Sequence, residues 1–175
     1  GDHENVMLAV AAGAFLAFGN HDHRLHRDDH AGLQDGVAVL AQFQARGKCL
    51  ADQYSTFPTL PGKNVNGELT LGENIADLGG LLVAHDAFRT TRQAREGRPI
   101  DGLTPDQRFF LAYAQSWRRS YRPEALKLQV NTDPHSPANF RVIGPLSNMD
   151  SFARAFGCKD GDAMVSPVAT RVGIW

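Results

Sequence analysis

The sequence predicts a mainly α-helical domain, and three features carry that prediction. Residues 37–55 place Val39, Leu40, Phe43, Cys49, Leu50 and Tyr54 at spacings that gather on one side of a helix. Thr104-Pro105-Asp106-Gln107 reads as a helix start, with Thr104 as the cap, Pro105 in the first helical position and Gln107 in the third, the pattern of a capping box. Glu73 and Asp77 stand four apart in Leu71-Gly-Glu-Asn-Ile-Ala-Asp-Leu-Gly79, so on a helix both carboxylates leave the same face.

In chain order, residues 5–18 are apolar and alanine-rich and read as a buried helix. Residues 19–35 are a polar, His/Asp-rich stretch with little periodicity. The amphipathic helix over 37–55 comes next. Residues 57–67 hold two prolines and two glycines and read as a loop. The helix carrying Glu73 is expected to run to about Glu96, where Gly97 and Pro99 stop it. Phe109, Phe110, Tyr113, Ala114 and Trp117 supply the apolar side of the helix opened by Thr104. Prolines recur through residues 121–145, which read as loop with short helical pieces. Residues 151–156 form a last short helix, and 168–175 an extended tail.

A chain of 175 residues, 42% of them apolar, is long enough for one domain with its own core. Eighteen lysines and arginines against 19 aspartates and glutamates leave a net charge of −1, which names no partner. The clusters Arg89, Arg92, Arg95, Arg98 and Arg118, Arg119, Arg122 read as solvated faces, so no nucleic-acid partner is expected. No run reaches the ~18 apolar residues of a membrane span. Asp2 and Glu4 precede the apolar run in place of a positive segment, which argues against a secretory signal. Cys49 and Cys158 are too few for a disulfide framework and lack CxxC spacing.

Two acids one helical turn apart repel, so the pair makes sense where a cation or proton donor lies opposite. Leu71, Ile75, Ala76, Leu78 and Gly79 around them are apolar or small, which turns the pair inward. The plainer alternative is that Glu73 merely opens the helix, where a carboxylate favours the macrodipole.

Further segments give these acids a context: Lys48-Cys-Leu-Ala-Asp-Gln-Tyr54, Asn66-Gly-Glu-Leu-Thr-Leu-Gly-Glu-Asn-Ile-Ala-Asp-Leu-Gly-Gly80, Phe109-Phe-Leu-Ala-Tyr-Ala-Gln-Ser-Trp117, Tyr121-Arg-Pro123, Asp133-Pro-His-Ser-Pro-Ala-Asn-Phe-Arg-Val-Ile-Gly144 and Phe156-Gly-Cys158. Together and in this order they resemble the C-terminal catalytic portion of the neprilysin family of zinc metallopeptidases, a gluzincin group. The resemblance covers residues 43–175 and leaves 1–42 as a diverged stretch of a single partial catalytic domain. It implies the helical C-terminal part of a gluzincin fold, zinc as the family's cofactor and peptides as substrates. It makes Glu73 a zinc ligand and Asp77 the acid that orients a zinc-bound histidine. It makes His135 the stabiliser of the tetrahedral oxyanion, Asp133 the residue orienting it, and Arg141 the contact to a substrate backbone carbonyl. A periplasmic or extracellular location is what the family favours.

The resemblance fails in one decisive place: HExxH, which supplies the family's two zinc histidines and its general base, is absent. By the family's spacing it belongs near residues 12–18, where Ala14, Phe15 and Phe18 stand. His3-Glu4-Asn-Val-Met7 and His26-Arg-Asp-Asp-His30 imitate the motif at the wrong places, and with His21 and His23 they make a tract able to hold metal adventitiously. The family's N-terminal lobe has no counterpart here. The cysteine that eukaryotic members pair with the equivalent of Cys49 is missing from the tail, as in bacterial members. The expectation is therefore a chain that binds no zinc at the family site and does not hydrolyse peptides. A non-catalytic peptide- or partner-binding module and the product of a frameshifted gene are the alternatives. Without a metal or histidine opposite them, Glu73 and Asp77 are expected to be exposed or raised in pKa. Their neutralisation to Gln and Asn should then leave stability unchanged or increased, and a cationic partner would reverse that sign.

Overall fold

The structure, a computed structural model, describes residues 30–174, with side chains from residue 37 onward. The helix expected over 5–18, Ala14, Phe15, Phe18 and the histidines His3, His21, His23 and His26 lie outside the described residues, as does the side chain of His30. The chain divides into two compact units, residues 1–45 and 46–175, and the boundary falls within the first described helix. No described helix is long and apolar enough to cross a membrane.

Helix α1 (His30–Tyr54) is followed by strands β1 (Pro58–Leu60) and β2 (Lys63–Asn64), then α2 (Leu71–Arg89), α3 (Arg92–Glu96), α4 (Pro105–Ser116), α5 (Pro123–Thr132), α6 (Phe140–Ser147) and α7 (Asp150–Phe156). A 3₁₀ turn (Val168–Thr170) precedes an extended end. The predicted mainly helical class holds. So does the Thr104 start: the Gln107 backbone N–H donates to Thr104 Oγ1 at 3.2 Å, and the Thr104 N–H donates to Gln107 Oε1 at 2.9 Å.

Four details of the element order differ from expectation. Residues 57–67 are not all loop, because Gly62 at φ +71° reverses the chain tightly enough for β1 and β2 to pair antiparallel. The helix expected to reach Glu96 breaks at Thr91. There the backbone is extended (ψ 155°), and the hydroxyl accepts from the Ala94 N–H and caps a new helix, α3. The proline-rich stretch holds α5, at ten residues more than a short piece. The tail carries a 3₁₀ turn before it extends.

The apolar face of α1 is also narrower than the spacing suggests. Val39 and Leu40 are 66% and 55% exposed, and Cys49 is exposed as well. The buried set is Gly47, Leu50, Ala51 and Tyr54, a true 3.6-residue stripe from which Cys49 is displaced by about a quarter to nearly half of a turn. Tyr54 lies flat against Gly144 of α6, where an added Cβ would stand 2.1 Å from the Tyr54 hydroxyl.

Two packings set the positions of the acid-bearing helix and its neighbours. Helix α2 lies along α6, and α4 lies along α7. Between α2, α4 and α7 the rings of His85, Phe88, Phe109, Phe110 and Phe152 stack or meet edge-on at centroid separations of 5.0–5.6 Å between successive members. His85, buried in that cluster, places Nε2 3.1 Å from the Asp106 carboxylate.

Candidate functional site

The five residues singled out in the sequence, 68 positions apart at the extremes, meet at one place. Glu73 and Asp77 project from α2. Arg141 lies in the first turn of α6. Asp133 and His135 occupy the link between α5 and α6.

The α2 helix brings the acids there because its other face is anchored. Leu78 and Asn74 are fully buried. Asn74 is the polar member of that pair, and both ends of its amide are used. Its Nδ2 donates to Thr70 Oγ1 at 2.9 Å, and its Oδ1 accepts from Ser136 Oγ at 2.8 Å. That second bond ties α2 to the residue next to His135. The link is further held by Gln129 Nε2 on the His135 carbonyl (3.4 Å) and by the Ala138 N–H on Tyr121 Oη (3.1 Å). A loop with so many side-chain anchors presents its histidine in one place.

His135 stands between two carboxylates. Its Nδ1 is 2.7 Å from Asp133 Oδ1, which also accepts from the His135 backbone N–H at 2.9 Å. Its Nε2 is 3.1 Å from Glu73 Oε2. The backbone N–H and then the ring of His135 hold the Asp133 carboxyl below the usual carboxylate range.

Asp77 is gripped by Arg141. Arg141 Nε donates to Asp77 Oδ2 and Nη2 to Oδ1, each at 2.6 Å, and the two side chains are 15% and 10% exposed. This corrects the expectation that Asp77 has no partner. The expected upward pKa shift is nonetheless present: burial pushes the Asp77 carboxyl up, and the Arg141 hydrogen bonds pull it only part of the way back. Burial works against the charge of Arg141 too, but the hydrogen bonds to Asp77 together with the charges of Asp77, Tyr113 and Glu73 outweigh it and hold the guanidinium above its ordinary value. Glu73 is 40% exposed, as expected of an acid with an open side, and its Oε2 is 4.0 Å from Arg141 Nη2.

Several residues of the site were not singled out from the sequence. Trp117, expected on the apolar side of α4, is the residue just past its end, and the Arg141 guanidinium sits 4.0 Å from its ring centroid. Tyr113 Oη donates to the Arg141 carbonyl at 2.7 Å, and burial pushes its phenol pKa up. Asn74 could have been found, since an amide among Ile75, Leu78 and Gly79 on an inward face needs partners. The Trp117–Arg141 contact had no local signal. A cavity of about 270 Å³ opens between these groups, lined by Trp117, Arg119, Tyr121, Gln129, His135 and Arg141 among others.

Zinc does not fit what these residues offer. Among the described residues no three His, Cys, Asp or Glu side chains converge as a metal site. The only family ligand among them, Glu73, has Oε2 against His135, with Arg141 adding positive charge 4.0 Å away. A dication brought to that oxygen would meet a guanidinium and an imidazole donor without histidine ligands to offset them.

A family model described as peptidase family M13 matches residues 19–172. An endothelin-converting enzyme homolog of Locusta migratoria is 47% identical over 129 residues, 72% of this chain and 18% of its own length. Human endothelin-converting enzyme 1 is 44% identical over 71% of this chain and 16% of its own length. Among solved structures, the zinc metalloprotease Zmp1 of Mycobacterium tuberculosis, in complex with an inhibitor, superposes with a TM-score of 0.67 at 39% identity, covering 77% of this chain and 22% of that one. PepO of Lactobacillus rhamnosis superposes with a TM-score of 0.65 at 32% identity, over 77% and 20%. The chain thus spans less than a fifth of the length of these curated relatives.

Proposed function

The chain belongs to peptidase family M13, and from that membership we propose that it is the peptide-contacting part of a metallopeptidase catalytic domain which, as it stands, binds peptides without hydrolysing them. The inherited chemistry is zinc-dependent cleavage of oligopeptides, a reading supported by the zinc metalloprotease among its structural relatives. One observation carries the restriction to binding: the sequence holds no HExxH, so Glu73 has no histidine pair with which to share a metal.

On this reading Arg141, fixed by Asp77 and Trp117, points its remaining donor capacity at the cavity, where a peptide carbonyl can accept from it. His135 lines the same cavity, oriented by Asp133 at Nδ1, and its Nε2 can serve a peptide only by turning from Glu73. In a complete M13 site such a donor steadies the oxyanion of the tetrahedral intermediate, worth ~3–4 kcal/mol of barrier. Here it serves ground-state binding. In a complete family site, zinc would supply activation of the attacking water. This chain has no HExxH to hold that ion or to supply its general base. Residues 1–175 form one partial catalytic domain on this view, and a periplasmic or extracellular location follows from the family.

The test is peptide turnover followed by mass spectrometry with excess zinc, alongside calorimetric binding of the same peptides. Binding without cleavage above buffer is the expected result, with affinity lost in Arg141→Ala. Cleavage that a chelator removes and zinc restores would overturn the restriction to binding.

A further inference from the structure

The wall of the cavity beside His135 carries one cation, Arg119, that has no carboxylate partner among the described residues. The acid that lines the cavity, Asp133, is engaged by His135, and the neighbouring Asp77 by Arg141. Arg119 is exposed on the cavity wall in the segment between α4 and α5, and it forms no ion pair among the described residues. Its guanidinium carbon lies 5.9 Å from the centre of the Trp117 ring. Arg141 approaches the same ring, so Arg119 is held near the cavity by a cation–π interaction that leaves its N–H donors unspent. Across the same wall Tyr121 Oη accepts from the Ala138 N–H, and its own proton has no acceptor among the described residues.

We propose that this cavity takes a carboxylate of the bound peptide, with Arg119 as the residue that selects it and Tyr121 as a second donor. The proposal rests on the peptide-binding reading above. The planar guanidinium fork matches a carboxylate's two oxygens. A monoanion fits better than a phosphate because the Asp133 carboxylate, 40% exposed, shares the wall and repels a dianion more strongly. The carboxylate can come from an Asp or Glu side chain or from the peptide's C-terminus. Both present the same chemistry to Arg119.

Calorimetry on the whole chain tests this with acetyl-Ala-Phe-Ala as free acid and as amide, and acetyl-Ala-Phe-Glu-amide beside acetyl-Ala-Phe-Gln-amide. The acid of at least one pair should bind about fivefold tighter than its neutral partner, a preference that shrinks with salt, as for a partly exposed ion pair. The pair that shows it identifies the source of the carboxylate. Arg119→Gln should bring both ratios to unity while the neutral peptides still bind. Equal affinities within both pairs, or a preference that survives Arg119→Gln, would overturn the assignment while peptide binding itself stood. If none of the peptides binds, the peptide-binding reading falls and the assignment falls with it.

Discussion

Asp77 and Arg141, 64 residues apart, are joined by two parallel hydrogen bonds of 2.6 Å that lock α2 to α6. A pair this dry is not automatically stabilising, because removing both charges from water costs about as much as their attraction returns. The upward shift of Asp77 shows burial prevailing over its cation.

The two partners should therefore respond differently to removal. Asp77→Asn keeps an oxygen for Arg141 and removes the buried charge, so it should change stability at neutral pH by no more than ~1 kcal/mol in either direction. Arg141→Met leaves the carboxylate buried and unpaired and should lose ~3–5 kcal/mol, most of it restored when Asp77→Asn is added. Urea unfolding of the single and double variants measures both. The partner alone would have made neutralisation costly, and burial removes that cost.

The pH dependence has a definite sign. Asp77 binds its proton more tightly folded than unfolded, so its contribution is complete below an unfolded value of about 3.9 and is lost as pH rises through the higher folded value. The stability of the wild type relative to Asp77→Asn should fall across that window and level off above it. A rise over the same range would show that Arg141, and not burial, governs the carboxylate.

Tyr54 and Gly144 give a packing test. Gly144→Ala places a methyl 2.1 Å from the Tyr54 hydroxyl and 2.3 Å from its ring carbon, and should cost ~2–3 kcal/mol or more in thermal unfolding. Tyr54→Phe should be neutral or stabilising by up to ~1 kcal/mol, since that buried hydroxyl has no hydrogen-bond partner among the described residues.

Asn74→Ala removes the bond to Ser136 that holds the His135 link, leaving buried polar groups unpaired at a cost of ~2–3 kcal/mol. Beyond that loss, the His135 ring resonances should broaden or split in NMR spectra and peptide affinity should drop. Unchanged His135 resonances would mean that Gln129 and Tyr121 suffice to place the loop.

Equilibrium dialysis should show no tightly held zinc that depends on Glu73, because one carboxylate cannot outcompete water for a hydrated dication. Stoichiometric zinc that is lost in Glu73→Ala yet kept when His21, His23, His26 and His30 are replaced would contradict this.

Much of the fold is legible in the sequence because helix signals are local. Thr104 and Gln107 are three apart and cap each other. Thr91 carries an equally local cap, and a reading that looks only to Gly97 and Pro99 for the stop passes over it and joins α2 to α3. The face of α1 is harder to read, since Cys49 and Leu50 are both apolar and only packing decides which is buried. The convergence of Glu73, Asp133, His135 and Arg141 is implied by ordered family motifs and not by periodicity.

By itself, then, the sequence determined that the chain is helical, where the helix capped by Thr104 begins, and that Glu73 and Asp77 share a face with no HExxH in the chain to serve them. Tertiary structure alone decided that Asp77 meets Arg141, that Glu73 meets His135, and that Trp117 becomes a platform for two arginines. The reason is one of range: caps and faces follow from residues within a turn or two of one another. Partners more than sixty positions apart are chosen only when α2 and α6 pack and their buried charges must find each other.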